Sequence, residues 1–167
     1  VAELNSLYED CVTAIRKTNP KRIIFIAPSK LSHPEGLQYL KIPSQSNGYL
    51  MAEWHFYAAG PSKTNDKKRW TTGTAEEKQL IKKSIKVAVD WQRKTGIYTW
   101  VGAWMPGDYN KGDNYSVKEQ IEFASFMTQQ LDKYGIPFAI NADDKFYDYQ
   151  TENWVPKYKD LLNRIFM

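Results

Sequence analysis

Four short apolar runs alternate with amphipathic helices along this chain, and that alternation restricts the fold more than any other feature. The runs cover residues 22–28, 49–57, 97–105 and 137–142. Ahead of the first, Leu4, Leu7, Tyr8, Cys11 and Ile15 recur at helical spacing, which predicts a helix over residues 3–18 that Asn19-Pro20 stops. A short helix fits residues 35–40. After the second run, Thr74-Ala75-Glu76-Glu77 is a capping box. It opens a helix to about residue 94 with Ile81, Ile85, Ala88 and Trp91 inward, and Gly96 ends it. Ser116-Val117-Lys118-Glu119 is a second capping box, and its helix turns Ile121, Ala124, Met127 and Leu131 inward. A last helix is expected over residues 154–166, after a polar, aromatic loop at 143–150.

This order of elements is a helix followed by four βα units, the pattern of a parallel α/β sheet. Four such units make half of an eight-stranded barrel, which typically needs about 250 residues. Alone, they leave two sheet edges unpaired. The expectation is one domain over residues 1–167. Its other half would be a separate or missing segment or a second copy; the alternative is an open, doubly wound sheet.

Composition narrows the partners. Aromatic residues make up 14% of the chain, with 6 Trp and 11 Tyr, and such rings stack on sugars and on bases. Net charge is +4, but the one basic run, residues 63–69, occupies a single loop without a recognition motif, so no nucleic-acid partner is expected. No run is long enough to span a membrane. Cys11 is the single cysteine and falls at an apolar helical position, where a buried thiol is expected. His33 and His55 are the only histidines; with no His/Cys cluster, neither a metal nor a cofactor is expected.

Residues 48–60 carry the densest chemistry. A period of two places Tyr49, Met51, Glu53, His55 and Tyr57 on one side of the second strand. That side ends in an imidazole and a phenol, and polar groups at the carboxyl end of a barrel strand read as active site. The competing reading is a core histidine packed beside aromatics. Glu53 lies one pleat deeper, where a structural carboxylate beside a partner is expected. Asp108, Asp113, Asp143 and Asp144 lie in loops at the same end and could bind sugar hydroxyls. Trp70, inside a polar loop, reads as either a stacking platform or a loop anchor.

Together these residues resemble the C-terminal half, strands five to eight, of a family 5 glycoside hydrolase, a retaining cellulase on a (β/α)8 TIM barrel. The resemblance covers essentially the whole chain. The helix with Asn19-Pro20 is similar to the family's helix after strand four. His55-Phe56-Tyr57 resembles its His-x-Tyr at the end of strand six. Trp100-Val101-Gly102-Ala103-Trp104 resembles its strand seven, where a Gly-Glu-aromatic sequence carries the nucleophile.

The resemblance implies an endo-β-1,4-glucanase acting on cellulose or another β-glucan, and a secreted one, because polymeric cellulose cannot enter a cell. Position 103 would hold the nucleophile, Tyr57 would hydrogen-bond it, and His55 would hold sugar hydroxyls. Trp54, Trp70, Trp104 and Asn141 are the implied substrate-binding residues, with Trp54 and Trp104 able by parity to face the helices instead. Two departures stand out: the nucleophile position holds Ala103, and no Asn-Glu-Pro, the family's acid/base motif, occurs. Retaining hydrolysis needs both carboxyl groups, about 5–5.5 Å apart. An alanine at position 103 fits a Glu→Ala substitution or a natural chain that binds glycan without cleaving it. A mannanase or xylanase of the same family, and a non-catalytic glycan-binding half-barrel, are the alternatives.

Overall fold

A computed structural model describes residues 1–56, 70–107, 115–141 and 143–166. Helix α1 (Ala2–Arg16) leads into strand β1 (Ile24–Ile26), a 3-10 turn (Pro34–Tyr39) and strand β2 (Leu50–His55). Helix α2 (Ala75–Thr95), strand β3 (Tyr98–Trp104), helix α3 (Val117–Lys133) and strand β4 (Phe138–Ile140) follow. The sheet order is β1-β2-β3-β4, and every neighbouring pair is parallel. This is a parallel α/β sheet of four βα units, as the alternation predicts.

Both capping boxes form, because they need only residues three apart. The Thr74 hydroxyl accepts the Glu77 N–H at 3.3 Å, and the Glu77 carboxylate accepts the Thr74 N–H at 3.0 Å. Ser116 and Glu119 repeat the exchange at 3.3 and 2.8 Å. The Glu77 carboxylate also accepts bonds from the Thr71 hydroxyl and the N–H groups of Thr72 and Gly73. Burial alone would raise its pKa, but these bonds outweigh it and hold the carboxyl below its ordinary value. A depressed carboxylate contributes stability above its unfolded pKa and loses it as pH falls through the folded one. Gly96, at φ 71°, closes α2 in the left-handed conformation that glycine adopts without strain.

Strand alternation splits the sheet into two faces. Leu50, Ala52 and Trp54 of β2 and Thr99 and Val101 of β3 are buried, and the apolar ones share one core with Ile81, Ile85, Phe123, Met127 and Leu131 of the helices. The opposite face carries Phe25, Met51, Glu53, His55, Trp100 and Gly102, all more exposed. Sequence periodicity gives no hint of what fixes α1. Its Arg16 is buried and donates to the carbonyls of Asn19, Arg22, Gln45, Ser46 and Tyr49, tying the helix end to the approaches of β1 and β2.

Three expectations need correction. Helix α5 covers only Lys159–Phe166. The segment before it holds a one-turn helix α4 (Asp143–Phe146) and a hairpin of β5 (Tyr147–Asp148) and β6 (Asn153–Trp154), then a 3-10 turn at Pro156–Tyr158. Trp154 is taken up in the ladder with Tyr147, so helical structure begins only at Pro156, a residue suited to a first turn because its missing N–H has no partner there. Cys11 is exposed: α1 turns Tyr8, Val12 and Arg16 toward the protein, a stripe rotated away from Leu7 and Cys11. Trp70 is buried, its ring 5.1 Å from Phe123 and 5.8 Å from Phe126, so it is a core residue and offers no open stacking face.

Candidate active site

The chemistry gathers where β2 and β3 end. Their register runs Glu53 to Trp100 and Trp54 to Val101, then shifts so that His55 pairs with Ala103. This irregularity skips Gly102; such bulges re-aim side chains at strand ends. The Phe56 N–H donates to the Ala103 carbonyl at 3.0 Å and fixes the pairing. Ala103 is buried at this position beside His55.

Glu53 organises the same face. His55 Nε2 lies 2.7 Å from Glu53 Oε1, and the Trp100 indole N–H donates to Oε2 at 3.3 Å. A carboxylate only accepts, so this bond places a proton on His55 Nε2. The His55 backbone N–H donates to the Ser32 carbonyl at 2.8 Å, tying the strand end to the loop after β1. The Phe25 ring lies 5.1 Å from Trp100 on the same face. Glu53 is therefore a carboxylate with two side-chain partners, one of them the site imidazole.

Gly102 makes that arrangement possible. A Cβ built there would lie 2.1 Å from Glu53 Oε1 and 2.3 Å from its carboxyl carbon. Sequence reading passes over this glycine because the demand for it comes from another strand. Gly102→Ala is expected to expel the Glu53 carboxylate, release His55 and cost about 1–3 kcal/mol, as overpacking does. The cost should shrink when Glu53 is already alanine, since the two residues share one space. A denaturation double-mutant cycle measures this; strict additivity would refute it.

The remaining site expectations divide by strand parity. Trp54 and Trp104 are fully buried. Trp54 donates from its indole nitrogen to Thr99 Oγ1 at 3.2 Å, and Trp104 packs on Phe123 and Phe138 at 6.1 and 5.7 Å. With Trp70, both are core residues here and present no face to a sugar, which corrects the stacking roles. Asn141 is half-buried just beyond β4, its N–H bonded to the Trp104 carbonyl at 2.9 Å, so it shares the strand-end rim with Ala103. Asp144 is exposed in α4. Tyr57, Asp108, Asp113 and the basic run 63–69 lie outside the described residues. His33 bonds Glu35 within the 3-10 turn. Among the described residues, no group of three His, Cys, Asp or Glu gathers that could hold a metal, and no helix is long and apolar enough to cross a membrane.

Parallel βα units with polar side chains collected at the strand carboxyl ends define half of a (β/α)8-barrel enzyme scaffold. The chain belongs to glycosyl hydrolase family 5: the family's cellulase model matches residues 1–143. Solved structures share its fold. It is similar to the cellulose synthase subunit Z of Clostridioides difficile, at 21% identity and TM-score 0.78, covering 98% of this chain and 56% of that one. A family 5 lichenase from Caldicellulosiruptor, solved with cellotetraose, matches at 19% identity and TM-score 0.82, covering 99% and 48%. An endoglucanase of Thermotoga maritima, solved with cellobiose, matches at 19% identity and TM-score 0.78, covering 98% and 54%. The chain thus spans about half the length of these structures. No curated protein sequence matches it.

Proposed function

We propose that this chain is the strand-five-to-eight half of an endo-β-1,4-glucanase catalytic domain and that, as written, it binds β-glucan without cleaving it. The observation that carries the reading is the register that pairs His55 with Ala103 on a family 5 scaffold. In the retaining mechanism a carboxylate attacks the anomeric carbon while a second carboxyl protonates the leaving oxygen. At the position paired with His55, the methyl of Ala103 can do neither. His55, held by Glu53, remains as a group for sugar hydroxyls, with Tyr57 the proposed partner of a nucleophile at position 103 and Asn141 a proposed sugar contact.

The open sheet face supports a complementary half as partner. Phe25, Tyr49 and Tyr98 lie on the open side by alternation and are 45%, 38% and 73% exposed. In a closed barrel such positions are filled by layers of side chains from all strands. Secretion is part of the same proposal, since the substrate is a polymer.

Calorimetry of the unaltered chain with cellohexaose, paired with a reducing-sugar assay, tests the reading. Binding in the micromolar-to-millimolar range without release of reducing ends is expected. Turnover with alanine in place would overturn the assigned role of position 103. Tighter binding of mannohexaose or xylohexaose would move the substrate within the family.

A further inference from the structure

The hairpin after β4 exposes an aromatic face that none of the site residues above explains. Tyr147 lies in β5, Tyr149 follows in the turn just after it, and Trp154 stands opposite Tyr147 in the antiparallel register. The Tyr147 ring meets Tyr149 at 5.2 Å and Trp154 at 5.1 Å, both edge-to-face. Tyr147 is half-buried between them, whereas Tyr149 is 65% and Trp154 45% exposed. The inner ring braces the outer two, which keep open faces toward solvent.

Side-chain hydrogen bonds close the hairpin turn. Asp148 Oδ1 accepts the N–H groups of Gln150 and Thr151 at 2.8 and 3.3 Å, and Asn153 Nδ2 donates to the Thr151 carbonyl. At its root the Val155 N–H donates to the Phe146 carbonyl at 2.9 Å, and buried Phe146 packs on buried Tyr158 at 4.9 Å. A ligand meeting these rings pays little ordering entropy.

The ligand class follows from chemistry and position. A β-1,4-linked glucose ring carries its hydroxyls at the equator, so both ring faces present C–H groups that pack on aromatic faces. Exposed aromatic clusters on a polar surface mark binding grooves. The hairpin also follows the strand-end rim closely along the chain. Tyr147 follows Asn141 by six positions, and at no more than about 3.6 Å per step the two lie at most about 22 Å apart. One oligosaccharide can reach both.

We infer that Tyr149 and Trp154, braced by Tyr147, form a second β-glucan-binding surface that extends the site past the end of β4. The inference rests on the reading that the chain binds β-glucan. It also predicts a preference for long oligosaccharides, because only these reach the hairpin from the rim.

Trp154 gives a direct readout. Of the 6 tryptophans, Trp54, Trp70, Trp91 and Trp104 are buried and Trp100 is half-buried, so acrylamide quenching of the unaltered chain reports mainly on Trp154. Cellohexaose should shield it and cellobiose should not. By calorimetry, Tyr149→Ala and Trp154→Ala should each weaken cellohexaose binding about tenfold, the effect of about 1.4 kcal/mol of lost stacking. Cellobiose affinity should stay unchanged, and Trp154→Phe should retain most of the binding. Tyr149→Ala keeps the test decisive if Trp154→Ala unfolds, since a ring so exposed contributes little to the core. Cellohexaose bound equally well by the unaltered chain and by Tyr149→Ala, with no shielding of Trp154, would overturn the hairpin surface and leave the glucan reading intact. No β-glucan bound by the unaltered chain would overturn both.

Discussion

Ala103→Glu, assembled with a complementary four-stranded half that carries the acid/base glutamate, should hydrolyse cellohexaose at least about 10³-fold faster than the same assembly with alanine. That factor is conservative for restoring a catalytic nucleophile. The residue falls at the end of β3, paired with His55 and buried, where a carboxylate is shielded from bulk water. Glu53 already holds His55 Nε2 at 2.7 Å, so the imidazole can steady a neighbouring carboxylate without rotating away. The measurement is reducing-end release against pH, with intact mass and circular dichroism confirming assembly. An assembled complex with no activity at any pH would leave glycan binding as the chain's function.

The sequence spoke clearly where structure is local. Both capping boxes and the Gly96 stop depend on residues a few positions apart, so their pattern sufficed to place α2 and the start of α3. The four strands were legible because each apolar run is bounded by turn residues. The candidate site was only partly legible. His55 could be placed by alternation, but its partner could not: the β2–β3 register shift that sets Ala103 against it involves two strands more than forty residues apart. Arg16, Gly102 and the contacts of Glu53 are of the same kind, each defined by groups distant in sequence. The end of the chain is less legible for a simpler reason. Its last eight helical residues have strong helical periodicity, which points to a longer helix, whereas the short ladder of Tyr147 with Trp154 takes up the residues before it.

Trp104→Ala should be among the most destabilising single substitutions in the described core, costing about 3–5 kcal/mol. The side chain is fully buried, wedged between Phe123 of α3 and Phe138 of β4, so its removal opens a cavity between helix and sheet. In a domain of this size that corresponds to a fall of roughly 6–20 °C in Tm. Trp104→Phe should cost clearly less, because the indole N–H finds no hydrogen-bond partner among the described residues and its loss sacrifices only volume. This pair of variants separates a core tryptophan from a sugar platform. A platform residue would lose glycan affinity on truncation while keeping its Tm. A core residue loses Tm first, and glycan binding at a temperature where the variant is still folded changes little. Thermal unfolding and cellohexaose calorimetry on both variants decide the matter. A Trp104→Ala chain with an unchanged Tm and abolished binding would mean that position 104 faces substrate, and that β3 twists in solution to expose a side chain now sealed beneath α3.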